Sequence, residues 1–266
     1  MRFTFLGTGT SAGVPAIGMN DWSSDDPRDR RLRTSAAMRW TDPDGRERGV
    51  LLDCGPDIRQ QALTSKLDRC DAILFTHNHV DHTWGLDEVR RFNVVMQGPI
   101  DIYAEQNTLE HLYRVYAHIF EKHKNINDSF VASLIAHRIG PERVLNLYGL
   151  KVTPFRLLHG RLPVLGYRID SDRVKSDCLP LAYCTDVSAI PPESWRHLTG
   201  LKTLVLDALR HRKHPTHFTL GQAVSVASEV GAEQTWFVHM NHELRHAETD
   251  VELPEGMNLA FDGLTI

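Results

Sequence analysis

Residues Thr76–Gly85 read THNHVDHTWG, and this stretch crowds four metal-capable side chains into six positions. Neither a helical nor a strand pattern requires histidine and aspartate to be concentrated in this way. His77 and His79 are two positions apart, so in extended backbone both imidazoles point to the same side and suit Zn²⁺, Mn²⁺ or Fe²⁺. Asp81 and His82 follow a change of direction of the chain. They can therefore bind a second ion beside the first.

Three more metal-capable residues follow short apolar segments that are predicted to be buried strands. The segment AILF is followed by the histidine cluster, and FRLL is followed by His159. The segment AYC is followed, after one threonine, by Asp186, and TWFV is followed by His239. Four strands that finish on metal-capable residues can place their ends at one pocket rim. A structural site for one metal would use a closed set of four ligands, usually rich in cysteine. The pattern therefore favours a hydrolytic site with more than one ion.

Strands and helices alternate along the chain, and no linker, low-complexity tract or repeat of fixed period interrupts them. RFTFLG predicts a first strand that ends in a tight turn at Gly7–Thr10, and TSAAMRW with GVLLD predicts a hairpin. One helix is expected over residues 106–121 and another from Gly85, in GLDEVRRFNVV. The charge-dense residues 20–33 predict a solvated loop. Together these elements predict one layered α/β domain over residues 1–266.

Composition and charge limit the classes of function. The chain has 266 residues, a formal net charge of −4 and a pI near 6.4, so it lacks the basic footprint of a nucleic-acid-binding protein. No segment approaches the ~20 apolar residues that span a bilayer, and no signal-peptide pattern is present, so a membrane partner is not expected. The cysteines form no CxxC pair and predict reduced, mostly buried thiols in a cytoplasmic protein: Cys54, Cys70, Cys178 and Cys184.

The sequence resembles the metallo-β-lactamase-fold hydrolases, whose HxHxDH signature is matched by HNHVDH at residues 77–82. Other segments resemble the branch that contains the carbon–phosphorus lyase accessory phosphodiesterases, which act on phosphoribosyl 1,2-cyclic phosphate: GTGTSAGVPAIG, GLDEVRRFN, THFTLGQA, FVHMNHE and FDG. The resemblance extends over nearly the whole chain. It implies a four-layer αββα sandwich with two metals at one edge of two packed sheets.

The resemblance also implies roles for individual residues. The implied ligands of two Zn²⁺ or Mn²⁺ ions are His77, His79 and His159 for the first ion, Asp81, His82 and His239 for the second, and Asp186 as the bridge. His217, in THFTL, would contact the substrate phosphate and protonate the leaving alkoxide, so Asp81 and His217 are the candidate catalytic residues. Asp53 ends the strand VLLD, where this fold often has a buried aspartate that orients a histidine ligand.

One part of the chain departs from the related phosphodiesterases. They often carry a cysteine-rich loop after GVPxxG that holds a structural zinc together with a late histidine, whereas here the loop reads GMNDWSS. We therefore expect no separate cysteine-type structural zinc. His242 matches the late histidine and is expected to pack near the site or to support a ligand. His211 and His214, in LRHRKHPTH, are expected at the surface of a basic loop.

Three classes of function fit these features. The favoured one is a dinuclear-metal-dependent phosphodiesterase that cleaves a small cyclic phosphate or nucleotide-like diester through attack by a metal-bridging hydroxide. The alternative is another hydrolase of the same fold: a tRNA 3′-processing nuclease, a thioesterase or a lactonase. The third is a non-catalytic metal-binding accessory protein of cofactor biosynthesis, as among the pyrroloquinoline-quinone relatives. Because His217 and all seven ligand positions are intact, an enzyme is favoured. The resemblance also allows a homodimer.

Overall fold

The computed structural model describes residues 1–126 and 129–266, in which two β-sheets lie between helices. The strands, in chain order, are β1 (Arg2–Gly7), β2 (Ser35–Thr41), β3 (Glu47–Leu52), β4 (Ala72–Leu74), β5 (Ile100–Ala104), β6 (Leu134–Arg138), β7 (Leu145–Leu147), β8 (Leu150–His159), β9 (Leu162–Asp170), β10 (Leu181–Cys184), β11 (Thr203–Asp207), β12 (Gln234–Val238) and β13 (Met257–Leu259). The helices are α1 (Ile58–Thr64), α2 (Val80–Thr83), α3 (Arg90–Met96), α4 (Gln106–Val115), α5 (Ala117–Phe120), α6 (Leu220–Val230) and α7 (His246–Asp250). Short 3₁₀ helices lie at Pro27–Asp29, Lys122–Lys124 and Pro192–Leu198.

Each sheet is part antiparallel and part parallel. The first sheet has the order β1-β2-β3-β4-β5-β6, and the second has the order β13-β12-β11-β10-β9-β8-β7. Strands β3 to β6 are parallel neighbours in the first sheet, and strands β10 to β13 are parallel in the second. The loops that leave the carboxyl ends of β4, β10 and β12 carry most of the predicted site residues. The parallel arrangement therefore brings them to one edge.

Side chains along the strands alternate between two apolar layers. In β3, Val50 and Leu52 face the core between the sheets, whereas Leu51 faces the outer helices. In β11, Val205 faces the core between the sheets, and Leu204 packs towards α6. Both faces of a strand are apolar because each sheet is covered on both sides. This four-layer αββα arrangement confirms the predicted fold.

Two helix predictions are wrong in their bounds. The chain leaves helical geometry at Tyr116, so residues 106–121 form α4 and α5 rather than one helix. The buried Tyr116 hydroxyl donates to the carbonyl oxygen of Thr83 at 3.1 Å, which is a tertiary contact that a local pattern does not contain. The helix expected from Gly85 begins only at Arg90, because Gly85 packs directly on the backbone of Gly55.

The prediction of a solvated loop over residues 20–33 is wrong for its second half. Asp29 and Arg31 are only 3% and 2% exposed. The Arg31 guanidinium contacts Asp29 and donates to the carbonyl oxygens of Asn241 at 2.9 Å and Leu244 at 2.6 Å. Burial of this charged pair is tolerated because both partners are hydrogen-bonded. The loop is thereby fixed to the segment that follows β12.

Within the described ranges, every helix is too short or too polar to cross a lipid bilayer.

Candidate metal centre

The loop after β4 and the helix α2 hold the histidine cluster against the end of β3. The backbone N–H of Cys54 donates to the carbonyl oxygen of His82 at 2.8 Å, and Gly85 N–H donates back to Cys54 at 2.9 Å. Gly55 is required at this contact, because a Cβ atom there would clash with the carbonyl oxygen of Asp81. Close backbone packing thus orients the loop that carries four of the predicted ligands.

The structure brings all seven predicted ligands together in two groups that share Asp186. The first group is His77, His79, His159 and Asp186, and the second is Asp81, His82, Asp186 and His239. Within each group one potential ligand atom per residue lies within 4.8 Å of all the others. In the second group, Nε2 of His82 lies 3.1 Å from Oδ1 of Asp186, and Nε2 of His239 lies 3.4 Å from Oδ2.

Three site residues have left-handed backbone conformations. Asp53, Asp186 and His239 have φ angles of +61°, +53° and +61°. Such values are uncommon for residues other than glycine and cost of order 1–3 kcal/mol each. All three residues directly follow or closely follow a strand end. The fold therefore accepts backbone strain at the points where these side chains turn into the site.

The donor set fits divalent metal ions. The Nε2 atoms of His77, His82 and His239 are buried, and none makes a hydrogen bond of good geometry within the described residues, although a carboxylate oxygen of Asp186 lies close to each. A buried polar atom without a partner costs about 1–3 kcal/mol, and coordination to a cation would remove that cost. Imidazole nitrogens with carboxylate oxygens suit Zn²⁺ and Mn²⁺. The residues of both groups therefore fit divalent metal ions.

Hydrogen bonds orient three of the imidazoles so that Nε2 is left as the potential ligand atom. Nδ1 of His82 donates to Oδ2 of Asp53 at 2.8 Å, and Nδ1 of His159 donates to the carbonyl oxygen of Thr216 at 2.7 Å. The Thr76 hydroxyl donates to Asp53 and so accepts from Nδ1 of His77 at 2.9 Å. Partners of this kind fix the ring tautomer of metal-binding histidines. Asp53 therefore orients the ring of His82.

The titration behaviour of the cluster reflects burial and close opposite charges. Burial disfavours the ionised form of Asp186, but the imidazoles of His239 and His82 outweigh it and hold the pKa of Asp186 well below its usual range. Burial by itself would lower the pKa of His239. The nearby carboxylates of Asp186 and Asp81 outweigh burial and raise this pKa to about 9. The pKa of His77 is lowered, mainly by burial. Metal binding would thus displace protons and depend on pH.

His217 lies against both groups. Its ring centroid is 4.5 Å from that of His159 and 4.6 Å from that of His239. Nδ1 of His217 lies 2.7 Å from Oδ2 of the fully buried Asp207. The carboxylate therefore fixes the ring and leaves Nε2 for contact with a ligand. Asp207, His217 and His239 form a third group of potential ligand atoms.

The structure corrects the expected places of two histidines. His242 is exposed and makes no hydrogen bond to any residue that the structure describes, so the prediction that it packs near the site or supports a ligand is wrong. The residues that hydrogen-bond candidate ligands are instead Asp53, which contacts His82, and Thr216, which contacts His159. His214 is half-buried rather than on the open surface. The four cysteines are buried and free, as expected.

Two residues that hydrogen-bond histidines of the site were not predicted. Asp207 ends the buried strand TLVLD, so the rule that found the other residues at strand ends would have found it as well. Thr216 acts through its backbone carbonyl, and no side-chain pattern in the sequence reports such a contact.

Comparisons with known proteins agree with this geometry. The family model of the beta-lactamase superfamily domain matches residues 48–240, which include all seven candidate ligands. The crystal structure of a new diphosphatase from the PhnP family is 40% identical, with a TM-score of 0.86, and the match covers 100% of this chain and 96% of that one. The zinc-bound PqqB from Methylobacterium extorquens is 20% identical, with a TM-score of 0.77 and coverage of 100% and 99%, which shows a shared fold.

One curated relative is longer than this chain. An octanoyltransferase of Porphyromonas gingivalis is 34% identical over 268 residues, which are 99% of this chain and 51% of that protein. The chain therefore spans about half the length of this relative. Together, the family match, the full-length similarity to a PhnP-family structure and the αββα layers confirm the resemblance: the chain belongs to the metallo-β-lactamase superfamily of hydrolases, in the branch of the PhnP family.

Proposed function

We propose that the protein is a dinuclear-metal-dependent phosphodiesterase that acts on a small anionic diester, such as a cyclic phosphate or a nucleotide-like diester. The observation that carries this proposal is that two groups of ligand atoms share Asp186 while His217 touches a member of each group. The arrangement supports one substrate phosphate held between two cations and a proton donor.

Each group of residues would hold one Zn²⁺ or Mn²⁺ ion. When bound, such ions neutralise the charge of the phosphate and acidify water, which is the chemistry that a diester requires. The protein contributes the ionised carboxylates of Asp81 and Asp186 and the Nε2 atoms of the histidines. All of the candidate ligands are buried except His79, so the substrate reaches the site from the side of His79.

His217 would serve as the general acid. Because the Asp207 carboxylate accepts a hydrogen bond from Nδ1 of His217, Nε2 is the ring nitrogen that can exchange a proton with the departing oxygen. The Asp207 carboxylate also stabilises the imidazolium that must form before the proton is delivered. General acid catalysis of this kind is typically worth about 10²–10⁴-fold in rate. The benefit is largest for an alkoxide, which is a poor leaving group.

A second candidate substrate class is a phosphoric anhydride, because a solved structure 40% identical to this chain is described as a diphosphatase. The displacement at phosphorus is the same. The leaving phosphate of an anhydride needs little help from an acid, however, so the dependence on His217 separates the two substrate classes.

The test is a substrate panel with metal-loaded protein. Bis(p-nitrophenyl) phosphate and a 2′,3′-cyclic nucleotide represent diesters, and p-nitrophenyl phosphate, ADP, an octanoyl thioester and a lactone represent the alternatives. We expect the diesters to be cleaved fastest. His217→Asn should lower kcat on the cyclic nucleotide by about 10²-fold or more and on the aryl diester far less. His137→Ala, at a partly exposed histidine on β6, should leave both rates unchanged.

The proposal is wrong if neither diester is cleaved, or if diester cleavage survives Asp186→Asn. Thioester or lactone hydrolysis as the main activity would contradict it and support the alternative hydrolases. ADP cleaved faster than both diesters, with little dependence on His217, would support the anhydride instead.

A further inference from the structure

The loop between β11 and α6 carries a second histidine beside the candidate metal centre. The ring centroid of His214 lies 5.2 Å from that of His217. The His217 ring in turn lies 4.5 Å from His159 and 4.6 Å from His239. His214 therefore packs beside His217, whose ring contacts the candidate ligands.

Thr216 fixes the tautomer of His214. Nδ1 of His214 lies 3.4 Å from the backbone nitrogen and 3.1 Å from the hydroxyl of Thr216. A backbone N–H can only donate, so Nδ1 is the acceptor and the proton of the neutral ring lies on Nε2. The carbonyl oxygen of the same threonine accepts from Nδ1 of His159. One residue thus orients both a candidate ligand and His214.

The Nε2–H of His214 is free to bind a substrate. Among the described residues it has no hydrogen-bond partner, and it is not one of the enclosed, unpartnered ring nitrogens, so it reaches solvent. Burial lowers the pKa of His214, and the neighbouring His217 and Arg210 add to this effect.

The remainder of the loop is basic, and hydrogen bonds within the loop hold its conformation. Arg210 donates from Nε and Nη2 to the carbonyl oxygens of Arg212 and Lys213, both at 3.2 Å. Arg212 pairs with Glu243 at 2.6 Å, whereas Lys213 is exposed and forms no ion pair within the described parts of the chain. A braced loop with excess positive charge and a free N–H suits a negatively charged ligand.

We propose that His214 is a substrate-binding residue whose Nε2–H donates to a non-bridging oxygen of the substrate phosphoryl group, beside the leaving-group oxygen that His217 serves. This inference rests on the proposed function and adds a residue that binds the anion without transferring a proton. The braced loop sets the position of the donor, and Thr216 sets its protonation.

Kinetics separate binding from proton transfer. With bis(p-nitrophenyl) phosphate, His214→Ala should raise KM by about tenfold or more, which is the usual loss for one hydrogen bond to a charged acceptor, while kcat changes less than about twofold. His214→Gln keeps an N–H donor and should recover most of the loss. The exposed neighbour His211 provides the control, and His211→Ala should leave KM unchanged. An unchanged KM in His214→Ala, or a loss confined to kcat, would overturn the inference.

A second readout does not depend on turnover. In histidine-ring ¹⁵N–¹H spectra of the zinc-loaded wild-type protein, His214 should appear as the Nε2–H tautomer, and added inorganic phosphate should shift that resonance. Inorganic phosphate should also bind His214→Ala about tenfold more weakly. If the wild type cleaves no diester, the proposed function fails while this measurement still tests His214. An Nδ1–H tautomer, or equal phosphate affinity in both proteins, would refute the role of His214.

Discussion

One carboxylate oxygen, Oδ2 of Asp207, accepts a hydrogen bond from Nδ1 of His217 at 2.7 Å and another from the backbone N–H of Val187 at 2.8 Å. Val187 directly follows Asp186, the residue shared by the two groups of ligand atoms. Asp207 is fully buried at the end of β11. It therefore fixes the candidate general acid relative to the shared carboxylate, so a change at Asp207 should affect proton transfer before it affects metal binding.

Asp207→Asn tests this relationship, because the amide keeps an acceptor oxygen and removes the negative charge. We expect kcat on a 2′,3′-cyclic nucleotide to fall by about 10²-fold or more, since the His217 imidazolium is no longer stabilised. Metal content should not change. The double variant Asp207→Asn/His217→Asn should be no slower than His217→Asn, because the two residues act as a unit. Additive losses would show that Asp207 acts on something other than His217.

Asp53→Asn tests the support of His82. Asp53 accepts from the backbone and hydroxyl of Thr76 and from Nδ1 of His82, and it is fully buried. Loss of its charge should weaken Zn²⁺ affinity about 10–100-fold in a chelator competition. Asp101→Asn, at a partly exposed carboxylate on β5, is the matched control and should keep wild-type affinity. Equal Zn²⁺ affinity in the two variants would show that Asp53 does not support metal binding by His82.

The strand-end rule explains how much of this site could be predicted from sequence. His159, Asp186 and His239 were found because each ends or follows a buried apolar strand. Strands β8, β10 and β12 run in the same direction, so their carboxyl ends lie at one edge. Asp53 follows the same rule. Contacts made by the backbone, such as the Thr216 carbonyl on His159, could not be predicted because they depend on how two distant loops pack.

The burial of charged residues in the 20–33 loop could not be predicted from sequence. Asp29 and Arg31 stand in a run of charges that is typical of a solvated segment, yet tertiary partners bury both of them. Local composition carries no information on the carbonyl groups of Asn241 and Leu244 that Arg31 binds. His242, which motif similarity placed near the site, is exposed.

Arg31→Met should destabilise the protein strongly. It leaves Asp29 without its ion-pair partner and two buried carbonyl groups without donors, a combination that costs about 3–5 kcal/mol. The matched control is Arg28→Met in the same loop, where the pair with Asp26 is partly exposed and worth less than about 1 kcal/mol. Urea unfolding measures both free energies. Similar losses in the two variants would contradict the structural role of Arg31.

Asp262 should make stability depend on pH. Burial raises the pKa of Asp262 to about 7, although hydrogen bonds from Leu32 and Thr8 and the charge of Arg31 act against it. Because an unfolded aspartate titrates near ~3.9, the folded chain holds an extra proton between about pH 4 and pH 7. The stability that this group contributes is full below about pH 4 and is lost as the pH rises to about 7.

Metal-free wild type and Asp262→Asn, compared by urea unfolding, test this dependence. The difference in free energy of unfolding should shift in favour of the variant by roughly 3 kcal/mol between pH 4.5 and pH 7.5. A difference that stays constant over this range would show that Asp262 is ionised throughout.

The number of metal ions per chain tests the central claim most directly. After loading with Zn²⁺ or Mn²⁺ and dialysis, elemental analysis should find two ions per chain in the wild type and in the Asp101→Asn control. Asp186→Asn should hold one or fewer, because Asp186 is the residue shared by both groups of ligand atoms. One ion per chain in the wild type, or two in Asp186→Asn, would contradict a dinuclear centre built around Asp186.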